Sequence, residues 1–173
     1  MDMYYSRQVR DLNVHLSEDP KVEGKVKDIV MDLQNAKVKG FWLDKLGLWK
    51  NSQFLPLKDI VLMDQKNIII KNAKNLQKTK DINENELISS WYGTPVYNDE
   101  GGDWGTLSDI LWSYPDGNIL GFAVSQGILK DMKRGWYFLP RNAVDIKDTN
   151  REGIILNNDF QYLNEVIRLN SKE

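Results

Sequence analysis

Residues 105–122 read GTLSDILWSYPDGNILGF, and this stretch decides the fold. Its middle, residues 114–117, predicts a β-turn, because proline suits the second position of a turn and glycine suits the last. Short apolar segments with partial alternation lie on both sides of the turn. The stretch therefore predicts a β-hairpin.

The same pattern occurs 81 positions earlier in the chain, where GKVKDIV (24–30) matches GTLSDIL (105–111) and VKGF (38–41) matches ILGF (119–122). Further matches follow in the same order at spacings of 84 to 86: 54–56 with 138–140, Ile60 with Val144, Asp64 with Asp148, and 68–70 with 154–156. Since the spacing drifts only slightly, the insertions belong in loops. The sequence predicts two copies of one module.

Each copy is rich in short strand-like segments and contains no long helical period, which is typical of a small barrel or sandwich. The predicted fold class is therefore mainly all-β, with two tandem small antiparallel β-barrels. The first barrel is predicted at 1–77, a polar linker at 78–85 and the second barrel at 86–173. Apolar residues at i, i+3, i+6 and i+7 within 159–167 predict a short C-terminal helix.

Composition excludes several classes of function. The 173 residues contain no cysteine and one histidine, so disulfides, iron–sulfur clusters, thiolate or multi-histidine metal sites and cysteine nucleophiles are excluded. No basic segment followed by an apolar core opens the sequence, and no apolar run approaches the roughly 20 residues that span a bilayer. We expect a cytoplasmic protein without a membrane span and without a cofactor.

The net charge of −2 conceals an asymmetry. Residues 1–80 carry 15 Lys/Arg and 10 Asp/Glu, whereas residues 81–173 carry 8 and 15. Halves of opposite charge suggest units that attract each other or differ in partner. The plainer interpretation is drift between two solvated surfaces.

Lysines and tryptophans in the first copy suggest a partner surface. Lys25 and Lys27 point to the same side of a strand, since side chains alternate. Trp42 and Trp49 follow in the same copy, and Trp112 flanks the predicted turn of the second. The tryptophans do not fall at matching positions in the two copies, so they are not required by the repeated fold. These five residues form the predicted surface. The alternatives are an ordinary solvated face for the lysines and core or inter-barrel packing for the tryptophans.

Three other features point to structure more than to chemistry. His15 is expected to be an exposed loop residue, because no serine or cysteine motif accompanies it. Asp28 and Asp109 occupy the same place in both copies, where a carboxylate accepts backbone N–H bonds. Residues 99–103, DEGGD, lack the spacing of a calcium loop and predict a hairpin loop.

The repeated pattern resembles the PRC-barrel family. The residues that carry the resemblance are the Gly-x-[Val/Leu]-x-Asp-Ile segment, the turn, the Gly-Phe pair and the following Leu-Pro, and they are clearest at 105–110, 116–117, 120–122 and 139–140. The first copy keeps its glycines, Asp28-Ile29 and Leu55-Pro56 but lacks the Asp-Gly turn. The family includes the cytoplasmic part of the photosynthetic reaction centre H subunit and the C-terminal half of a bacterial ribosome maturation factor.

The resemblance implies a bacterial docking and assembly module with no shared catalytic residues to transfer. The first functional hypothesis is a non-enzymatic adaptor that binds another protein or a second copy of itself. The alternative is a ribosome- or RNA-associated maturation factor that acts through the basic first copy, and RNA is the less favoured partner. An enzyme is not expected, because no nucleophile–base pair, metal cluster or phosphate loop occurs.

Overall fold

The computed structural model describes residues 1–32, 34–44, 53–79, 82–98, 100–145, 153–156 and 167–169. The described chain divides into two compact units, the first formed by 1–90 and 113–118 and the second by 91–112 and 119–173. The mainly all-β prediction is confirmed, because most of the described residues lie in two sheets.

The strands in the first part of the chain are β1 (Asp2–Tyr5), β2 (Asn13–Leu16), β3 (Asp19–Asp32), β4 (Lys37–Leu43), β5 (Gln53–Pro56), β6 (Ile60–Met63), β7 (Asn67–Ile70) and β8 (Gln77–Lys78). Helix α1 (Ser6–Val9) follows β1, and short 3-10 turns cover Leu57–Asp59, Ala73–Asn75, Glu84–Glu86 and Ile88–Ser90.

The later strands are β9 (Pro95–Tyr97), β10 (Asp103–Tyr114), β11 (Ile119–Ser125), β12 (Trp136–Pro140), β13 (Val144–Asp145), β14 (Ile154–Leu156) and β15 (Ile167–Leu169). Helix α2 (Ile128–Arg134) lies between β11 and β12, and a 3-10 turn covers Arg141–Ala143. The predicted C-terminal helix falls mostly outside the described residues, but its last position, Ile167, begins strand β15 and pairs with Phe138.

The strands of the two units follow the same order. In the first unit the order is β6-β7-β2-β3-β4-β5-β8, and in the second it is β13-β14-β9-β10-β11-β12-β15. One neighbouring pair in each path is parallel, β2 with β7 and β9 with β14, and the others are antiparallel. Each unit therefore folds its part of the sequence along the same path.

The register of pairing is also the same at the matched residues. Ile29 pairs with Phe41 in the first unit, as Ile110 pairs with Phe122 in the second. All four side chains are buried, and each pair lies in the apolar core of its own unit. Removal of this apolar area from water is the main force that stabilises such small sheets.

The predicted hairpin is confirmed, since β10 and β11 pair antiparallel on either side of the turn. The turn residues belong to the first unit. The Val38 N–H donates to the Gly117 carbonyl at 2.7 Å, and Lys37 Nζ donates to the Asp116 carbonyl at 3.1 Å. Gly117 has φ +71° and lies so close to the Val38 carbonyl that a Cβ would come within 2.5 Å of it. Glycine is therefore required at this position.

The units divide the chain differently from the predicted boundaries. The predicted linker contributes a pairing strand, β8, and a 3-10 turn, and the first unit extends to residue 90. Leu87 forms a β-bridge with Val30, and the Ser89 N–H lies 3.3 Å from an oxygen of Asp28. The first residue of the predicted linker, Lys78, pairs with Gln53 of the first unit. Residues 87 and 89, which were predicted to belong to the second barrel, are bonded to the first unit instead.

An exposed ion pair helps to attach this segment. Lys39 Nζ lies 2.5 Å from Oε1 of Glu86 and 4.0 Å from Asp32. The hydrogen bond from Lys39 lowers the pKa of the Glu86 carboxyl, and partial desolvation opposes this change. Because the folded pKa is depressed, the pair stabilises the fold above the ordinary pKa of glutamate, and this contribution is lost as the pH falls through the folded pKa.

Replacing Lys39 with methionine should therefore cost stability at neutral pH and almost none in acid. We expect a loss of at most about 1 kcal/mol at pH 7, the usual range for exposed pairs. Urea titrations of both proteins at neutral and acidic pH measure the difference, and Lys58→Met at an exposed site is the charge-matched control. A difference that stayed constant with pH would show that packing, and not the ion pair, is responsible.

Candidate functional site

The candidate site lies on strand β3 of the first unit. Lys25 and Lys27 are exposed, whereas Val26 between them is fully buried. This alternation follows from the strand geometry and agrees with the predicted common side of the two lysines. The two ammonium groups thus project from the same face.

A β-bulge sets the position of Lys27. Val26 pairs with Leu43 and Asp28 pairs with Trp42, so Lys27 is the extra residue between two ladder positions. The bulge leaves its side chain free to lean over the neighbouring strand. Lys27 Nζ lies 5.2 Å from the centroid of the Trp42 ring, which is a cation–π contact.

A third cation completes the site. Arg10 is exposed, and its Nε donates to the Lys27 carbonyl at 3.2 Å. Among the residues that the structure describes, no carboxylate lies within 4.0 Å of the Lys25 or Lys27 ammonium. We call Arg10, Lys25, Lys27 and the half-buried Trp42 the basic–aromatic face. Its geometry suits an anionic partner with an apolar or aromatic group to lay against the indole.

The two other predicted members do not join this face. Trp49 lies outside the described residues. Trp112 is 0% exposed, and its prediction as a surface residue was wrong. Its counterpart in the first copy, Met31, is also buried. An apolar residue at the same position in both copies is the signal of a core site, and the burial of Trp112 agrees with core packing, the alternative interpretation of the tryptophans.

The second unit lacks the same arrangement. At the ladder positions of Lys27 and Trp42 it carries Ser108 and Ala123, although the bulge itself recurs between Leu107 and Asp109. The shared fold therefore does not require the lysine–tryptophan contact. Because the first unit has this lysine–tryptophan pair and the second unit lacks it, the pair is a candidate for a functional role and not for a structural one.

The repeated aspartates serve the backbone. Asp28 and Asp109 are buried, and one oxygen of each accepts the N–H of the next residue at 2.8 Å. Both sit beside the bulge, where the ladder leaves N–H groups unpaired. These bonds to the backbone are sufficient to explain why an aspartate occurs at both positions.

His15 differs from its expected loop position. It lies in strand β2, with Nδ1 3.2 Å from the Lys21 carbonyl and Nε2 3.0 Å from Oδ1 of Asn67. Both ring nitrogens thus have polar neighbours.

The hairpin loop was predicted at 99–103, and residue 99 lies outside the described residues. The turn is closed by the Asn98 carbonyl, which accepts a hydrogen bond from the Gly101 N–H at 3.0 Å.

The second unit contains an open cleft that was not predicted from the sequence. Asp103, Trp104, Gly105, Gln126 and Lys130 line it. Trp104 packs edge-on against the ring of Tyr137, at 6.2 Å between centroids. Within the described ranges, no cluster of three or more histidine and carboxylate side chains is arranged to hold a metal ion.

The unit boundaries also change the charge balance. The first unit carries 15 Lys/Arg and 14 Asp/Glu, a net charge of +1, and the second carries 8 and 11, a net charge of −3. The asymmetry between the two halves of the sequence shrinks because acidic residues at 81–90 and 116 belong to the first unit. The positive charge is therefore concentrated at the basic–aromatic face, and the first unit as a whole is close to neutral.

Comparison with known proteins gives one family. Residues 83–161 match the family model of the PRC-barrel domain. No curated protein matches the chain. None of the helices in the described part of the chain has the length and apolar character needed to cross a membrane.

Proposed function

We propose that this protein is a non-enzymatic assembly adaptor that binds an acidic protein through the basic–aromatic face. A PRC-barrel domain at residues 83–161 fits an interaction or assembly module. The observation that carries the proposal is the contact between Lys27 and Trp42, 5.2 Å from ammonium to ring centroid, at an exposed lysine that has no carboxylate within 4.0 Å among the described residues.

We further propose that the first unit is a second PRC-type barrel. Three features support this: the common strand order, the matched register at Ile29–Phe41 and Ile110–Phe122, and the bulge at the same place in both ladders. In this view one copy keeps the plain fold, and the other has acquired a binding face.

A partner of acidic character follows from the charges. Lys25 and Lys27 project from one face, and Arg10 is bonded to the Lys27 carbonyl. An opposing carboxylate would meet either lysine without displacing an ion pair to any described residue. The indole of Trp42 offers the kind of rigid aromatic anchor that dominates many interfaces. The ribosome or RNA alternative receives less support, since a net charge of +1 on the first unit falls short of the basic surface that phosphate binding requires.

The proposal is tested by replacing two residues of the face with the residues at the equivalent positions of the second unit. The variant Lys27→Ser with Trp42→Ala carries the residues found at the equivalent positions of the other ladder. We expect it to fold and to lose at least about tenfold in affinity for the partner, because a hot-spot aromatic and a paired cation are both removed. Capture by the tagged full chain from its own lysate, with and without nuclease, measures the effect.

Lys58→Ser is the matched control, as it removes an exposed lysine from the same unit. A protein that survives nuclease, stays bound to the control and is lost from the double variant would support the adaptor. Equal capture by both variants would exclude this face as the binding site. Partners that disappear with nuclease would favour the RNA alternative.

A further inference from the structure

Helix α2 of the second unit presents two apolar side chains to solvent. Ile128 is 80% exposed and Met132 is 79% exposed. Residues four apart lie on the same face of a helix, so the two side chains form one apolar projection. A helix whose apolar face covers the core would bury such residues, and this helix does the opposite.

The only acidic residue of α2 is directed back into its own loop. Ser125 Oγ donates to one oxygen of Asp131, and the Gln126 N–H donates to the other at 3.0 Å. The helix also contains Lys130, Lys133 and Arg134, of which Lys130 is exposed. Among the described side chains of the helix, the apolar projection is thus accompanied by the exposed Lys130, while the Asp131 carboxylate is already engaged.

An aromatic residue lies beside the helix. Trp104 is half-buried and lines the open cleft together with Lys130, and its carbonyl accepts from Gln126 Nε2 at 3.3 Å. Tryptophan with one buried and one accessible side is characteristic of membrane–water boundaries, where the ring suits both media.

Charge and area decide what covers this projection. A second copy of the same helix would oppose cations to cations, which disfavours self-pairing. A protein partner generally needs about 800 Å² on each side, and a helix of seven residues is only about 10 Å long. A lipid surface needs no matched shape, accepts protruding apolar groups and attracts lysine and arginine when its headgroups are anionic.

We infer that α2 is a peripheral membrane-contact element that inserts Ile128 and Met132 among the headgroups of an anionic lipid surface. The inference uses the second unit alone and does not depend on the basic–aromatic face. Contact is with one leaflet only. The exposed apolar pair sets how deeply the helix inserts, and the cations produce the preference for anionic lipid.

Co-sedimentation of the full chain with vesicles tests the inference. Vesicles of phosphatidylcholine are compared with an equal mixture of phosphatidylcholine and phosphatidylserine at low and high salt. We expect binding to the anionic vesicles that weakens with salt. The variant Ile128→Ser with Met132→Ser should partition about tenfold or more less strongly, because the inserted apolar area is lost.

The chain provides a matched control in Val61 and Leu62, another exposed apolar pair, at 60% and 52% exposure. Val61→Ser with Leu62→Ser should leave partition unchanged, and thermal unfolding confirms that both double variants are folded. The inference is overturned if the native chain binds neutral and anionic vesicles equally, or binds neither. It is also overturned if both double variants lose vesicle binding to the same extent. Loss of an acidic protein from the α2 variant without any vesicle binding would also overturn it, in favour of a protein at this helix.

Discussion

Replacing Trp112 with alanine is expected to destabilise the protein by about 3–5 kcal/mol, the range for removing a large aromatic from a core. The side chain is fully buried in strand β10 and stands opposite Ile119 across the ladder. Truncation would leave a cavity that the surrounding sheet fills only in part. Chemical denaturation followed by circular dichroism measures the loss.

Trp42→Ala is the comparison that separates packing from binding. Trp42 is only half-buried, so its removal should cost much less stability, on the order of 1 kcal/mol including the contact with Lys27. Partner capture should show the reverse order, with the larger loss for Trp42→Ala. A Trp112→Ala protein that kept native stability but lost its partner would contradict the burial of this residue.

Gly121→Ala is expected to cost about 1–3 kcal/mol or more, although it adds only one methyl group. A Cβ at this position would lie 2.5 Å from the Leu139 carbonyl and closer still to the ring of Phe138. Gly121 pairs with Pro140 in the ladder between β11 and β12, so the adjacent strand cannot retreat without breaking its pairing. Thermal and urea unfolding report the change.

The chain supplies two comparisons for this variant. Gly40→Ala in the first unit meets the Leu55 carbonyl in the same manner, opposite Pro56, and should destabilise to a similar extent. Gly101→Ala has open space around its Cβ but a φ of +81°, and should show only the backbone strain of about 1–2 kcal/mol. If Gly121→Ala cost no more than Gly101→Ala, the close approach of the two strands would be disproved.

Much of the fold could be predicted because the same short pattern is written twice. Glycines at 40 and 121 lie where a neighbouring strand passes too closely for a side chain. Because only glycine fits there, it occurs at the matching position of both patterns. The hairpin around 114–117 carries a turn signal strong enough to be identified alone. By contrast, the polar stretch 78–85 resembles a linker, and the first unit nevertheless extends to residue 90. The attachment of residues 86–90 depends on long-range bonds such as the one between Lys39 and Glu86.

The candidate site could be predicted only in part. Alternation along β3 predicts Lys25 and Lys27 on the same side of the strand, and both are exposed with the buried Val26 between them. The bulge that turns Lys27 toward Trp42 depends on the pairing register, which a single strand does not reveal. Arg10 was missed because it reaches the face from another segment through a bond to the Lys27 carbonyl. Charge summed over sequence halves was misleading, since the folded units do not follow those halves.

The bulge in β3 has a consequence for which side chains position 27 can accept. A residue inside the ladder is constrained by the residue directly opposite it on the next strand, whereas the extra residue of a bulge has no residue in register with it on that strand. Position 27 and its counterpart 108 therefore accept a lysine in one copy and a serine in the other while the neighbouring aspartate keeps the same bond to the backbone. Such a position can change the surface chemistry of a unit at little cost in foldability, so it is a natural starting point for a new binding specificity.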